Sequence, residues 1–60
     1  MTDAQVRGAL RAAVQAGLLA GWYQHSPFQG VEWVISPVDH PTSRYDRAGI
    51  RAYCALLRTT

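Results

Sequence analysis

The chain contains no lysine. Its six basic side chains are all arginine, set against Asp3, Glu32, Asp39 and Asp46 for a formal charge of +2. So small an excess excludes strong unaided attraction to a polyanion, although arginines gathered on one face would still form a local patch. An arginine-only basic set in an Ala- and Gly-rich chain also fits a GC-rich coding bias. Cysteine occurs once, at Cys54, which rules out a disulfide within the chain and points to a reducing compartment, the cytoplasm. No apolar run approaches the roughly 20 residues of a membrane span. The opening MTDAQVRGAL mixes charge into a helical apolar pattern, unlike the basic-then-apolar order of a signal peptide. A Gly-rich phosphate loop, a nucleophile elbow and the paired spacings of structural zinc sites are also missing. Sixty residues allow a single domain spanning 1–60. A chain this short buries only about 60% of the surface its unfolded form exposes, so its margin over conformational entropy is thin without a staple or a partner.

What the chain does have is concentrated between Gly21 and Pro37, where both tryptophans and the only phenylalanine fall. Ser26 to Gly30 separates two runs, Trp22–Ser26 and Val31–Ser36, that alternate with the two-residue period of a strand. Pro27 suits the first inner position of a type I turn, and Gly30 suits a left-handed residue closing a four-residue loop. Setting Ser26 opposite Val31 pairs His25 with Glu32, Gln24 with Trp33, Tyr23 with Val34 and Trp22 with Ile35. One face then carries Trp22, Val31, Trp33 and Ile35 and is the expected core face; the other carries Tyr23, Val34, His25 and Glu32. A one-residue slip would expose a tryptophan, which makes this register the expected one.

Thr2 followed by Gln5 fits a capping box, and Asp3 suits the first turn, so a first helix is expected from about Asp3 to Ala20. Val6, Leu10, Val14, Gly17 and Leu18, with Ala9 and Ala13, form its apolar face, and Arg7, Arg11 and Gln15 lie opposite. Gly21 is the expected stop. After the hairpin, Pro37 to Pro41 turns the chain out of the sheet. Thr42–Tyr45 then reads as a short third strand with Asp46 capping a second helix, or else as that helix begun early after Ser43. In the last segment Ile50, Tyr53, Cys54 and Leu57 recur at helical spacing, with Leu56 widening the apolar surface and Arg47, Arg51 and Arg58 on the far side. The fold class is α+β: helix, antiparallel β-hairpin or three-strand meander, helix, with both helices on the Trp22, Trp33 and Ile35 face.

No grouping of His25, His40, Cys54, Glu32, Asp39 and Asp46 demands catalysis. His25 opposite Glu32 reads as a cross-strand ion pair, Cys54 as a buried inert thiol, and Asp39–His40 as a turn. No enzyme, cofactor or metal is expected. Arg7 and Arg11 sit one turn apart, as do Arg47 and Arg51; each pair fits a solvated helix face or, through the planar guanidinium, phosphate contact.

The stretch AAVQAGLLAGWYQHSPFQGVEWVISP resembles the later half of a winged-helix domain, with Ala16 to Leu19 as a helix end, Trp22–Gln24 as the first wing strand and Val31–Ser36 as the second. The resemblance implies a DNA-binding regulator in which Arg7 and Arg11 lie on the recognition helix and Gln29 at the wing tip; Arg47 and Arg51 would add phosphate contacts. The two helices that normally precede a recognition helix are missing. In composition and layout the chain also resembles small proteins of actinobacterial phages, a likeness that brings no activity with it. The primary expectation is a non-enzymatic protein-interaction module, an accessory or host-modulating factor of phage type. Its partner would be itself, as a homodimer through Ile50, Tyr53, Leu56 and Leu57, or a larger protein.

The packing expectation has a direct test. Trp33→Ala removes the largest side chain of the proposed core and should cost roughly 3–5 kcal/mol, enough to abolish a cooperative thermal melt in a domain this small.

Overall fold

Thr2 caps the first element on both sides of its own peptide unit. In the computed structural model, which describes residues 1–28 and 30–59, its hydroxyl accepts from the Gln5 amide at 3.1 Å while its amide donates to Gln5 Oε1 at 2.7 Å. This capping box opens helix α1, Asp3–Gln15, with Asp3 in the first turn. The helix ends well short of Ala20. Gly17 takes φ +80, the Gly17 amide donates to the Val14 carbonyl at 3.1 Å and the Leu18 amide to the Ala13 carbonyl at 2.9 Å. These crossed bonds are a Schellman close, which needs a residue that tolerates the left-handed region. Leu18 and Leu19 are thereby released from the helix, and Gly21, the expected stop, lies inside a strand.

Strands β1 (Leu19–His25), β2 (Glu32–Pro37) and β3 (Ser43–Tyr45) form an antiparallel meander in the order β1-β2-β3, followed by helix α2, Arg47–Thr59. The hairpin register is the expected one, with Trp22 opposite Ile35, Tyr23 opposite Val34, Gln24 opposite Trp33 and His25 opposite Glu32. A register shift between Leu19 and Gly21 extends the pairing to Leu19 and Pro37. Pro37 is tolerated on the central strand because β3 reaches only as far as Ser43 opposite Ile35, so no neighbour there requires its missing amide. The loop closes through the Gly30 amide on the Pro27 carbonyl, 3.1 Å, which makes Pro27 the outer corner of the turn rather than its first inner residue. Between β2 and β3 the tight reversal falls on Asp39, at φ 62, a conformation that aspartate tolerates.

Asp46 ends β3 and caps α2, its Oδ1 accepting from the Gly49 amide at 2.7 Å, so the third-strand reading of Thr42–Tyr45 holds from Ser43 onward. Both helices cover one sheet face. The core there comprises Val6, Leu10 and Ala13 of α1, Leu19, Trp33 and Ile35 of the sheet, and Ile50 and Cys54 of α2. Trp33 is 0% exposed, with Trp22 beside it at 6.2 Å between ring centroids, and Tyr45 stacks on Tyr53 at 5.2 Å. Val14 and Leu18, expected on the apolar face, are exposed, Leu18 because the helix has ended before it. Val34, on the opposite face, is nonetheless buried, flanked by its cross-strand partners Tyr23 and Arg44.

Two glycine substitutions of identical chemistry should move stability in opposite directions. Gly17→Ala places a Cβ in the left-handed region and should cost about 1 kcal/mol, whereas Gly8→Ala, in mid-helix with open space around it, should gain about 0.5–1 kcal/mol. Urea unfolding of the two variants checks the sign of each.

Candidate functional site

The polar residues named from the sequence do not converge. His25 and His40 are exposed, at the end of β1 and in the β2–β3 turn. Glu32 finds its ion-pair partner in Arg44, at 3.7 Å, rather than in His25, because Arg44 on β3 lies diagonally across the same sheet face. Asp46 is held by its cap and Asp39 by its turn. Among the described residues no group of three or more His, Cys, Asp or Glu side chains is placed to hold a metal ion.

The arginines divide into committed and open ones. Arg7 donates to Gln24 Oε1 at 3.3 Å, binding α1 to β1. Arg47 reaches Asp3 Oδ2 through both Nε (3.3 Å) and Nη2 (3.1 Å) and so ties the first turn of α2 to that of α1. Arg11 and Arg51 are exposed and have no carboxylate partner among the described residues. Gln29, the expected wing tip, lies outside the described residues.

The four residues expected to form an interface on α2 are separated by the fold. Ile50 is fully buried in the core and not available to a partner. Tyr53 is half-buried against Tyr45, and Leu56 stands 66% exposed. Leu57 faces a different feature, an open apolar groove of about 470 Å³ between the helices.

Helix α1 supplies one side of this groove through Gly8, Ala9, Ala12, Ala13 and Ala16, with Gln5 at one end and Leu18 at the other. Cys54, Leu57 and Arg58 of α2 form the opposite side. Gly8, Ala12 and Ala16 recur every four residues and so share one helix face. That stripe was legible in the sequence, but small residues there read equally as a surface for close packing on the sheet. A second, more polar depression lies under the hairpin, lined by Pro27, Val31, Glu32, Asp46 and Arg47, and its carboxylates are already engaged.

Charge is divided unevenly between the helices and the rest of the chain. The helices carry Arg7, Arg11, Arg47, Arg51 and Arg58 against Asp3 alone, a side-chain total of +4; the remainder carries Arg44 against Glu32, Asp39 and Asp46, or −2. On α2, Arg47, Arg51 and Arg58 follow one another at four- and seven-residue spacing and share one helix face, from which Arg58 lines the groove. No protein-family model matches the chain, nor does any curated protein or solved structure. Function must therefore be argued from these residues.

At the floor of the groove, burial raises the pKa of the Cys54 thiol, an effect partly opposed by Arg58. Burial likewise raises that of Tyr53, with Tyr45 and Cys54 adding to it. Both groups hold their protons more tightly folded than unfolded. The contribution of each to stability is complete below its ordinary value, 9.0 for the thiol and 10.0 for the phenol, and is lost as pH rises from there through the raised value of the folded chain. Urea midpoints measured from neutral pH to about pH 10.5 should fall, and Cys54→Val should make the early part of that fall shallower. A Cys54 thiol that reacts with a disulfide reagent as fast in the folded as in the unfolded chain would contradict its burial.

Proposed function

We propose that the chain is a non-enzymatic protein-interaction module, an accessory factor of phage type acting in the cytoplasm, that receives its partner in the groove between α1 and α2. The observation that supports this reading is the groove itself. It is lined on one side by glycine and alanine on a helix tied at its first turn to α2, and it offers apolar area without a polar grouping that would do chemistry. No helix among the described residues is long and apolar enough to cross a membrane, so exposed apolar surface here is not explained by a bilayer span.

The second reading, a DNA-binding regulator of winged-helix-like type, is favoured by the +4 charge of the helix layer. Two of its four arginines, Arg7 and Arg47, are engaged inside the fold. Contact through Arg11 and Arg51 alone would give a slope of log affinity against log salt of about −1.8.

Gly8→Gln separates folding from docking. Glutamine is the better helix former and meets open space, so stability should rise by about 0.5–1 kcal/mol, while its long polar side chain obstructs the apolar groove. A partner identified in the native host, purified and titrated against the wild-type chain, should bind Gly8→Gln at least about tenfold more weakly. Equal affinity would remove the groove from the interface. Saturable DNA binding whose salt slope flattens by about one unit in Arg11→Ala would favour the regulator instead.

A further inference from the structure

We infer that the occupant of the α1–α2 groove is an acidic amphipathic helix belonging to another protein. The inference rests on the docking reading above and adds the partner's secondary structure and charge.

Secondary structure follows from the backbone. Both walls of the groove are helices whose main-chain groups are used in their own ladders. An extended peptide laid between them would find no partners for its amides and carbonyls, as it would beside a sheet edge, whereas a helix brings its own. Gly8, Ala12 and Ala16 present nothing longer than a methyl group to hold a docked helix off, which permits the short end of the usual 8–10 Å interaxial range. Leu57 and Leu18 provide the apolar contacts that residues spaced three and four apart on such a helix would meet.

Charge selects the kind of helix. Arg58 stands on the groove and Arg51 on the same stripe, and neither has a carboxylate partner among the described residues. A second copy fits poorly. Its own helices carry five arginines against one aspartate, and that aspartate, Asp3, is already paired with Arg47, so helix-to-helix self-docking would set like charges together. A nucleic acid would satisfy the arginines but not the apolar floor. Carboxylates flanking an apolar stripe satisfy both.

A displayed library of 16-residue helix-forming peptides, selected on the wild-type chain and depleted on Gly8→Gln, tests this directly. Enriched peptides should carry Leu or Phe at three- and four-residue spacing flanked by Asp or Glu. The best of them, made synthetically, should lose about tenfold in affinity for Arg51→Glu/Arg58→Glu at low salt, and the loss should shrink as salt rises. A Glu-to-Lys copy of the peptide should show the reverse preference, and thermal melts of the double variant check that it is folded. Enrichment of neutral or basic helices, with affinity indifferent to the arginines, would overturn the acidic occupant while leaving the groove as a docking site. Enrichment of nothing that distinguishes wild type from Gly8→Gln would overturn the docking reading with it. Concentration-dependent dimerisation in sedimentation equilibrium that Gly8→Gln abolishes would assign the groove to a second copy and overturn the inference.

Discussion

Trp33 lies on the central strand of a sheet that is covered on one face only, so every element that needs shelter has to reach it from the same side. Val6, Leu10, Ile50 and Cys54 do so from two helices, and Trp22 closes the flank. The arrangement leaves the molecule only 15 Å across its thinnest dimension, measured on Cα atoms, which is one sheet and one helix layer. It also has a cost. The Trp33 indole Nε1 is buried without a hydrogen-bond partner among the described residues, and an unmet donor of that kind is unfavourable by about 1–3 kcal/mol. The area that a buried indole removes from water more than offsets the penalty. Ala9 and Ala13, the small residues of α1 packed in that core, fit the same constraint, since a helix that must pass close to a tryptophan has little room for longer side chains.

The parts of this fold that were legible in the sequence are those set by local chemistry. Thr2 and Gln5 form a capping box because both bonds lie within one turn. The hairpin register follows from two-residue alternation, and Asp46 caps α2 because its side chain needs only its own neighbours. The end of α1 was misread for an equally local reason. Apolar spacing persists through Leu18, and nothing in the periodicity marks whether Gly17 continues a helix or reverses it. The Schellman bonds decide that. The pairing of Asp3 with Arg47 joins residues far apart in the chain, and no pattern of spacing announces it.

The candidate site was less legible than the fold. Its α2 residues were identified as apolar and surplus, which is correct for Leu56, but the amount of helix surface consumed by a one-sided core cannot be judged until the crossing of the two helices is known. Ile50 and Cys54 went to the core, Tyr53 to Tyr45, and Leu57 to the groove. The separation of charge was likewise invisible in a total of +2, because a moderate sum conceals +4 on the helices and −2 on the strands and connections together.

The turn at Gly17 carries a further consequence, for how the gene can vary. Only Ala16, Gly17 and Leu18 separate α1 from β1, and both crossed hydrogen bonds span them. One residue inserted there would leave the β1–β2 pairing, and with it the facing of Trp22, unchanged, but would break the Schellman close and turn α1 relative to the sheet face that it covers. The same insertion among residues 38–42, between β2 and β3, would lengthen an exposed loop and change no strand's facing. Length is thus constrained at the first connection and free at the third, and natural or engineered variants that differ by single-residue insertions should sort along that line.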